Sequence, residues 1–158
     1  MDEEAKKTVL RMIPYGLYVL GAGAGDDIGM GTINWVTQAS FAPPLVVMGI
    51  KTDSNIHQLM EANRKFALSM LKTGQKDQAY AFFKPAAPEG GKINGFDFKP
   101  AGNGCPTLDD AAGYVAGDIH EIFQRGDHSI FIGEVSEAVL HDAAEPLTLK
   151  EIGANYGG

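Results

Sequence analysis

The sequence predicts a mainly β chain with short helices, folded as an antiparallel barrel. Three observations lead there. Several β-type runs are separated by only short helical stretches, and the regular strand–helix alternation of a doubly wound sheet is missing. In addition, residues 112–123 and 129–140 are two long β-type runs joined by the compact Gln124-Arg125-Gly126-Asp127-His128, which suits antiparallel strands. A chain of 158 residues without repeats fits one domain over residues 1–158. At that length a fold buries roughly 70% of its unfolded surface and needs no covalent staples.

The elements follow in order. Residues 3–12 combine helix formers with Val9, Leu10 and Ile13 on one side, and Pro14 stops the run, so a short packing helix is expected. Residues 17–22 read as a strand, 23–29 as a flexible hairpin connection and 30–36 as the returning strand. Gly21-Ala22-Gly23-Ala24-Gly25 is not read as a dinucleotide fingerprint, because that motif must open a helix and a strand follows here. Pro43-Pro44 cannot donate to a ladder, so residues 37–40 read as a polar bend and the apolar residues 45–50 as a central strand. Ser54 is a good N-cap for a helix over residues 55–62, with Ile56, Leu59 and Met60 at helical spacing. Residues 66–71 alternate like a strand, and 76–83 suggest a second helix. Residues 84–91 read as a loop of a length that is more often functional than accidental. Short extended pieces are expected at 96–98 and 107–108.

Charge and composition narrow the function. Thirteen Lys and Arg against 20 Asp and Glu give a net charge of -7, which argues against nucleic acid or an anionic membrane as partner. No apolar run approaches the roughly 18 residues of a spanning helix. The acidic start Met1-Asp2-Glu3-Glu4 is unlike a signal peptide, so a cytoplasmic location is expected. The single cysteine, Cys105, excludes an internal disulfide and a cysteine-based metal site, and its loop suits a buried or incidental thiol better than a catalytic one. His57, His120, His128 and His141 show no helical metal spacing and no evident carboxylate partner, so no metal is expected. His120 and His128 could face each other across the long hairpin as a polar pair.

Two polar segments could hold a ligand. Asn34, Thr37, Gln38 and Ser40 mix amides and hydroxyls, which suits a phosphate or the polar edge of a flat heterocycle; the bland alternative is satisfied polar residues at a strand end. Trp35 and Phe41 are candidates for an apolar wall, or for core. Lys51, Thr52, Ser54 and Asn55 follow a strand and precede a helix start, where free N–H groups and the macrodipole favour an anion; here the alternative is an ordinary capped helix with a solvated lysine. No serine–histidine–aspartate set or paired carboxylate stands out.

The run Gly31-Thr32-Ile33-Asn34-Trp35-Val36-Thr37-Gln38-Ala39-Ser40-Phe41-Ala42-Pro43-Pro44, continued by the apolar residues 45–50, the loop Lys51-Thr52-Asp53-Ser54-Asn55 and the turn Gly126-Asp127-His128 occur in this order over residues 14–140. Together they resemble the flavin reductase-like, FMN-binding split-barrel family. The resemblance implies a six-stranded antiparallel split barrel with Greek-key connections, and a homodimer with the flavin near the subunit interface. It implies FMN as cofactor, with FAD possible. The flavin-binding set would be Asn34, Trp35, Val36, Thr37, Gln38, Ala39, Ser40, Lys51, Thr52, Ser54 and Asn55. His128 would be the catalytic residue near flavin and nicotinamide, unless it only satisfies its turn. The implied activity is NAD(P)H:flavin oxidoreduction, with hydride passing from nicotinamide C4 to flavin N5 and backbone N–H groups of residues 37–40 stabilising the reduced ring. The competing expectation is a flavoredoxin-like protein whose tightly bound FMN is reduced by a protein partner. No site for a 2′-phosphate is recognisable, so NADH and NADPH both remain open.

Overall fold

The computed structural model describes residues 1–85 and 88–158. It is mainly β with three short helices and two antiparallel sheets. The larger sheet has seven strands: β1 (Tyr18–Ala24), β2 (Asp27–Ile33), β3 (Val36–Phe41), β4 (Pro44–Lys51), β5 (Lys65–Met70), and two long strands. The small strands between them are β6 (Pro88–Glu89), β7 (Lys92–Ile93), β8 (Phe96–Pro100) and β9 (Pro106–Leu108); the long pair is β10 (Gly113–Gln124) and β11 (His128–Leu140). The order in the large sheet is β2-β1-β5-β10-β11-β4-β3, and its end strands do not pair with each other.

Seven strands with two open ends replace the six expected, and the reason lies in residues 36–41. Thr37 pairs with Val47 and Gln38 with Val46, with an irregularity at Ala39 before Ser40 meets Leu45. The stretch read as a bend is therefore an edge strand, mostly exposed, so no burial alternates along it. The reversal comes at Ala42-Pro43, and Pro44 takes the first position of β4, where a missing N–H is tolerated. The strand expected over residues 30–36 ends at Ile33, and the first hairpin is tighter than residues 23–29, with only Gly25 and Asp26 between strands. Within the expected loop 84–91, Pro88 and Glu89 pair with Ile93 and Lys92, while Ala86 and Ala87 lie outside the described residues.

Two apolar cores flank β1. Val19 points to one with Leu17, Met30, Leu71, Phe82 and Leu147; Leu20 points to the other with Met48, Ile50, Met60, Phe66 and Phe131. The small sheet lies over β1 so closely that a Cβ at Gly21 would stand 1.9 Å from the Pro106 carbonyl oxygen. Helix α2 (Asn55–Asn63) starts as expected, since Ser54 Oγ accepts from the His57 N–H at 3.2 Å. It buries Ile56, Leu59 and Met60, each contributing roughly 1.5–3 kcal/mol as an upper figure, and this burial fixes its amino end over the sheet. Helix α3 (Lys76–Ala81) is shorter than expected, because Phe82 turns into the core and its carbonyl accepts from Thr32 N–H at 2.9 Å. Helix α1 (Glu3–Leu10) buries nothing, contrary to expectation; Val9 is 60% exposed, and the helix meets the rest of the chain where Arg11 Nε donates to Gly157 O at 3.0 Å and Gly158 lies against Lys7. Among the described residues no helix is long and apolar enough to cross a membrane.

Candidate functional site

Register creates the site. β4 and β11 run antiparallel with Lys51 opposite His128, so the loop that follows Lys51 and the turn that precedes His128 become neighbours. Thr52 seals them, its N–H and Oγ1 both donating to Asp127 O at 3.0 and 3.2 Å. Beside this junction opens a cleft of about 420 Å³, within the range of small-ligand sites. Its walls are the end of β2 with Asn34, the end of β4, the first turn of α2, the segment after α3 from Phe82 to Pro85, and a carboxyl-terminal strap that includes Ala154, Asn155 and Tyr156.

The structure brings Asn34, Lys51, Ser54, Asn55 and His128 together on this cleft. Trp35 stands at its edge, packed on Gly49, where a Cβ would meet its ring at 3.2 Å, and against His128 at 4.4 Å between ring centroids. Val36, Thr37, Gln38, Ala39 and Ser40 run away along the open edge of β3 and do not line it. Thr52 is turned to the Asp127 carbonyl, and Phe41, 92% exposed at the β3–β4 tip, is no wall of the cleft. His120 does not face His128; its Nε2 lies 3.3 Å from Glu134. Three histidines thus have carboxylate neighbours that spacing alone did not reveal, since Asp127 Oδ1 lies 2.9 Å from His128 Nδ1 and Glu61 Oε2 lies 3.9 Å from His57 Nδ1.

The polar groups are distributed unevenly. Lys51 Nζ and Asp53 Oδ2 lie 3.1 Å apart in solvent, and Asp53 holds the ammonium above its ordinary pKa, so this end of the cleft keeps an ammonium donor paired with a carboxylate. The His57 N–H of α2 is taken by Ser54 Oγ, and the Asn55 and Ile56 N–H groups precede the first intrahelical bond at this end of the cleft. Asn34 is 8% exposed, and among the described residues its Nδ2 finds no partner; neither does the buried indole N–H of Trp35. An unmet donor in a cleft wall is costly unless a ligand meets it. Between these poles the wall is apolar, with Ile33, Ile50, Ile56 and Phe82. The chemistry of this donor set suits a flat heterocycle with an anionic tail. Cys105 takes no part, because burial pushes its thiol up to about 11.

Sequence reasoning missed the strap, Phe82 and Phe83, whereas Lys84 and Pro85 open the loop it expected over residues 84–91. Tyr156 Oη lies 2.8 Å from His128 Nε2, and its ring stands edge-on to Trp35 at 5.2 Å. The one available signal was a tyrosine beside Gly157 and Gly158, whose left-handed backbone (φ 84° at Gly157) lets the chain lie flat on the indole.

Residues 10–156 match the family model described as flavin reductase like domain. The chain belongs to this family. Membership makes it an oxidoreductase of the flavin reductase class. It is 32% identical over 148 residues to an NADH-dependent FAD reductase of Streptomyces globisporus, an alignment covering 91% of this chain and 80% of that one. The solved structure of an NADH:FAD oxidoreductase from Streptomyces globisporus C-1027 superposes with a TM-score of 0.78 at 28% identity, covering 93% of this chain and 89% of that one. The complex of that oxidoreductase with NAD and FAD fragments gives 0.76 at 29% identity, with 89% and 85% covered. A diflavin flavoprotein of Synechocystis is 31% identical over 137 residues, and there the match spans 86% of this chain but 24% of the relative.

Proposed function

We propose that this flavin reductase like chain is a single-domain NAD(P)H:flavin oxidoreductase that holds FMN, with FAD as the second candidate. The observation that carries the reading is the Lys51–His128 register. It brings the Lys51–Asn55 loop and an imidazole onto one cleft, with an Asn34 N–H that is unmet among the described residues between apolar walls. The flavin and the nicotinamide supply the redox chemistry, a two-electron hydride exchange between their rings.

The chain's own residues bind and orient. Lys51, Ser54, Asn55 and the first turn of α2 are suited to the flavin phosphate, and Asn34 offers an N–H to an acceptor on the ring edge. Trp35 backs the ring's neighbour, His128. Residues 36–40 and Thr52 receive no ligand contact in this reading. His128 is held by Asp127 on one side, and that contact keeps the Asp127 carboxyl below its ordinary pKa. A homodimer is part of the proposal.

The relative from Streptomyces globisporus is named for NADH and FAD, which supports the nicotinamide half of the reading and makes the flavin choice testable. The purified protein is reconstituted with FMN or FAD and mixed anaerobically with NADH or NADPH while the flavin absorbance is followed. Rapid bleaching is expected, with FMN bound more tightly. A protein that binds flavin yet does not bleach would instead be an electron carrier reduced by a protein partner, and one that binds neither flavin would overturn the proposal.

A further inference from the structure

Asp127, His128 and Tyr156 form a hydrogen-bonded row along one side of the cleft, with Asp127 Oδ1 2.9 Å from His128 Nδ1 and His128 Nε2 2.8 Å from Tyr156 Oη. With the imidazole neutral, chemistry fixes the direction of each bond. An ionised carboxylate only accepts, so Nδ1–H donates to Asp127; in the neutral imidazole Nε2 then accepts, and the Tyr156 hydroxyl gives it its one proton. What remains on Tyr156 Oη is lone pairs. Burial raises the Tyr156 phenol above its ordinary range, which keeps that proton in place.

The phenol is held from several sides. Its ring meets Trp35 edge-on, a Cβ at the following Gly157 would stand 3.1 Å from the same indole, and Arg11 Nε grips the Gly157 carbonyl at 3.0 Å. The His128 side chain, by contrast, is only 13% exposed, and both of its nitrogens are already engaged. A ligand on this wall therefore meets a fixed acceptor belonging to Tyr156 before it meets the imidazole. The geometry points to Tyr156 as the residue that recognises the nicotinamide carboxamide, its oxygen accepting a hydrogen bond from the amide NH2. The inference rests on the nicotinamide-dependent reading above.

The carboxamide is the N–H donor carried by the reactive ring itself, and it sits on C3, next to the hydride carbon. A hydrogen bond there fixes which edge and which carbon the ring presents, so it selects the substrate as well as holding it. Asp127 and His128 act through Tyr156 by setting the orientation of its proton.

Flavin-loaded protein is mixed anaerobically with NADH and with reduced 3-acetylpyridine adenine dinucleotide, whose acetyl group has no N–H to give, and binding is read from saturation of the reduction rate. Wild type is expected to bind NADH about tenfold more tightly than the acetyl analogue. Tyr156→Phe keeps the ring on Trp35 and is expected to bind the two equally, by losing about tenfold for NADH while its flavin affinity stays within about twofold. Equal binding in wild type overturns the inference without any variant. A wild-type preference that survives in Tyr156→Phe overturns it too, as does a loss that falls on flavin affinity, which would assign the oxygen to the flavin N3–H. If wild type is reduced by neither NADH nor NADPH, the nicotinamide reading fails with it, and that failure shows before any substitution is made.

Discussion

At the scale of single residues, Lys51 and Cys105 make opposite tests. Lys51 is solvated, and its worth lies in what it meets. Lys51→Ala is expected to weaken FMN binding roughly tenfold or more, because a charge-assisted contact is stronger than a neutral one, and to leave riboflavin unaffected. Titrating both ligands checks it, and equal losses would assign Lys51 to the fold. Cys105 is buried, and its thiol is raised from 9.0 to about 11. The folded protein then holds the proton more tightly than the unfolded chain, so this stabilisation is complete below about pH 9 and is lost as pH rises toward 11. Urea melts of wild type and Cys105→Ala should differ by a gap that changes only across that interval. Both residues were legible in the sequence as types, a cation before a helix start and a thiol in a glycine-rich loop. Tyr156 was not, because its role depends on the strap folding back 28 positions to reach His128, and no local pattern encodes that.

At the scale of elements, α2 combines two duties that one substitution series can separate. Ser54→Ala removes the oxygen that caps His57 N–H and should cost about 1 kcal/mol of stability. Ser54→Asp restores a cap acceptor but adds a negative charge beside Lys51, so stability should return while FMN binding falls and riboflavin binding does not. Thermal melts with paired titrations report both, and parallel recovery of stability and FMN affinity would remove Ser54 from the phosphate site. The sheet offers a harsher case. Gly21→Ala pushes a methyl group into the Pro106 carbonyl across β1 and β9, and overpacking of this kind costs typically 1–3 kcal/mol, seen as a lower urea midpoint. The long hairpin and α2 were readable because apolar residues recur at the proper period and Ser54 marks a start. β3 was not, because an edge strand pairs on one side and its polar, mostly exposed side chains imitate a bend.

At the scale of the molecule, what the sequence concealed was adjacency. Lys51 and His128 lie 77 positions apart, and each block was recognisable alone, yet only the antiparallel register of β4 and β11 turns them into one site. The strand count failed for a related reason, since barrel closure depends on which edges meet, and β2 and β3 leave theirs unpaired. The proposed dimer has a surface to test. Phe123 and Ile130 are exposed cross-strand partners near the hairpin tip, and Ile130→Glu is expected to shift the protein toward monomer in light scattering. An unchanged mass would move the interface elsewhere.

The chain contains one tryptophan, and the fold sets that indole at the rim of the cleft, against His128 and Tyr156. Isoalloxazine absorbs in the near ultraviolet, where indole emits, so a flavin seated there drains the excited state of Trp35. The intrinsic fluorescence of the protein thus becomes a built-in occupancy gauge. Apoprotein should glow, each addition of FMN or FAD should dim it toward a plateau, and the same optical signal ranks the flavin affinities of the Lys51 and Ser54 variants without a label or a coupled assay.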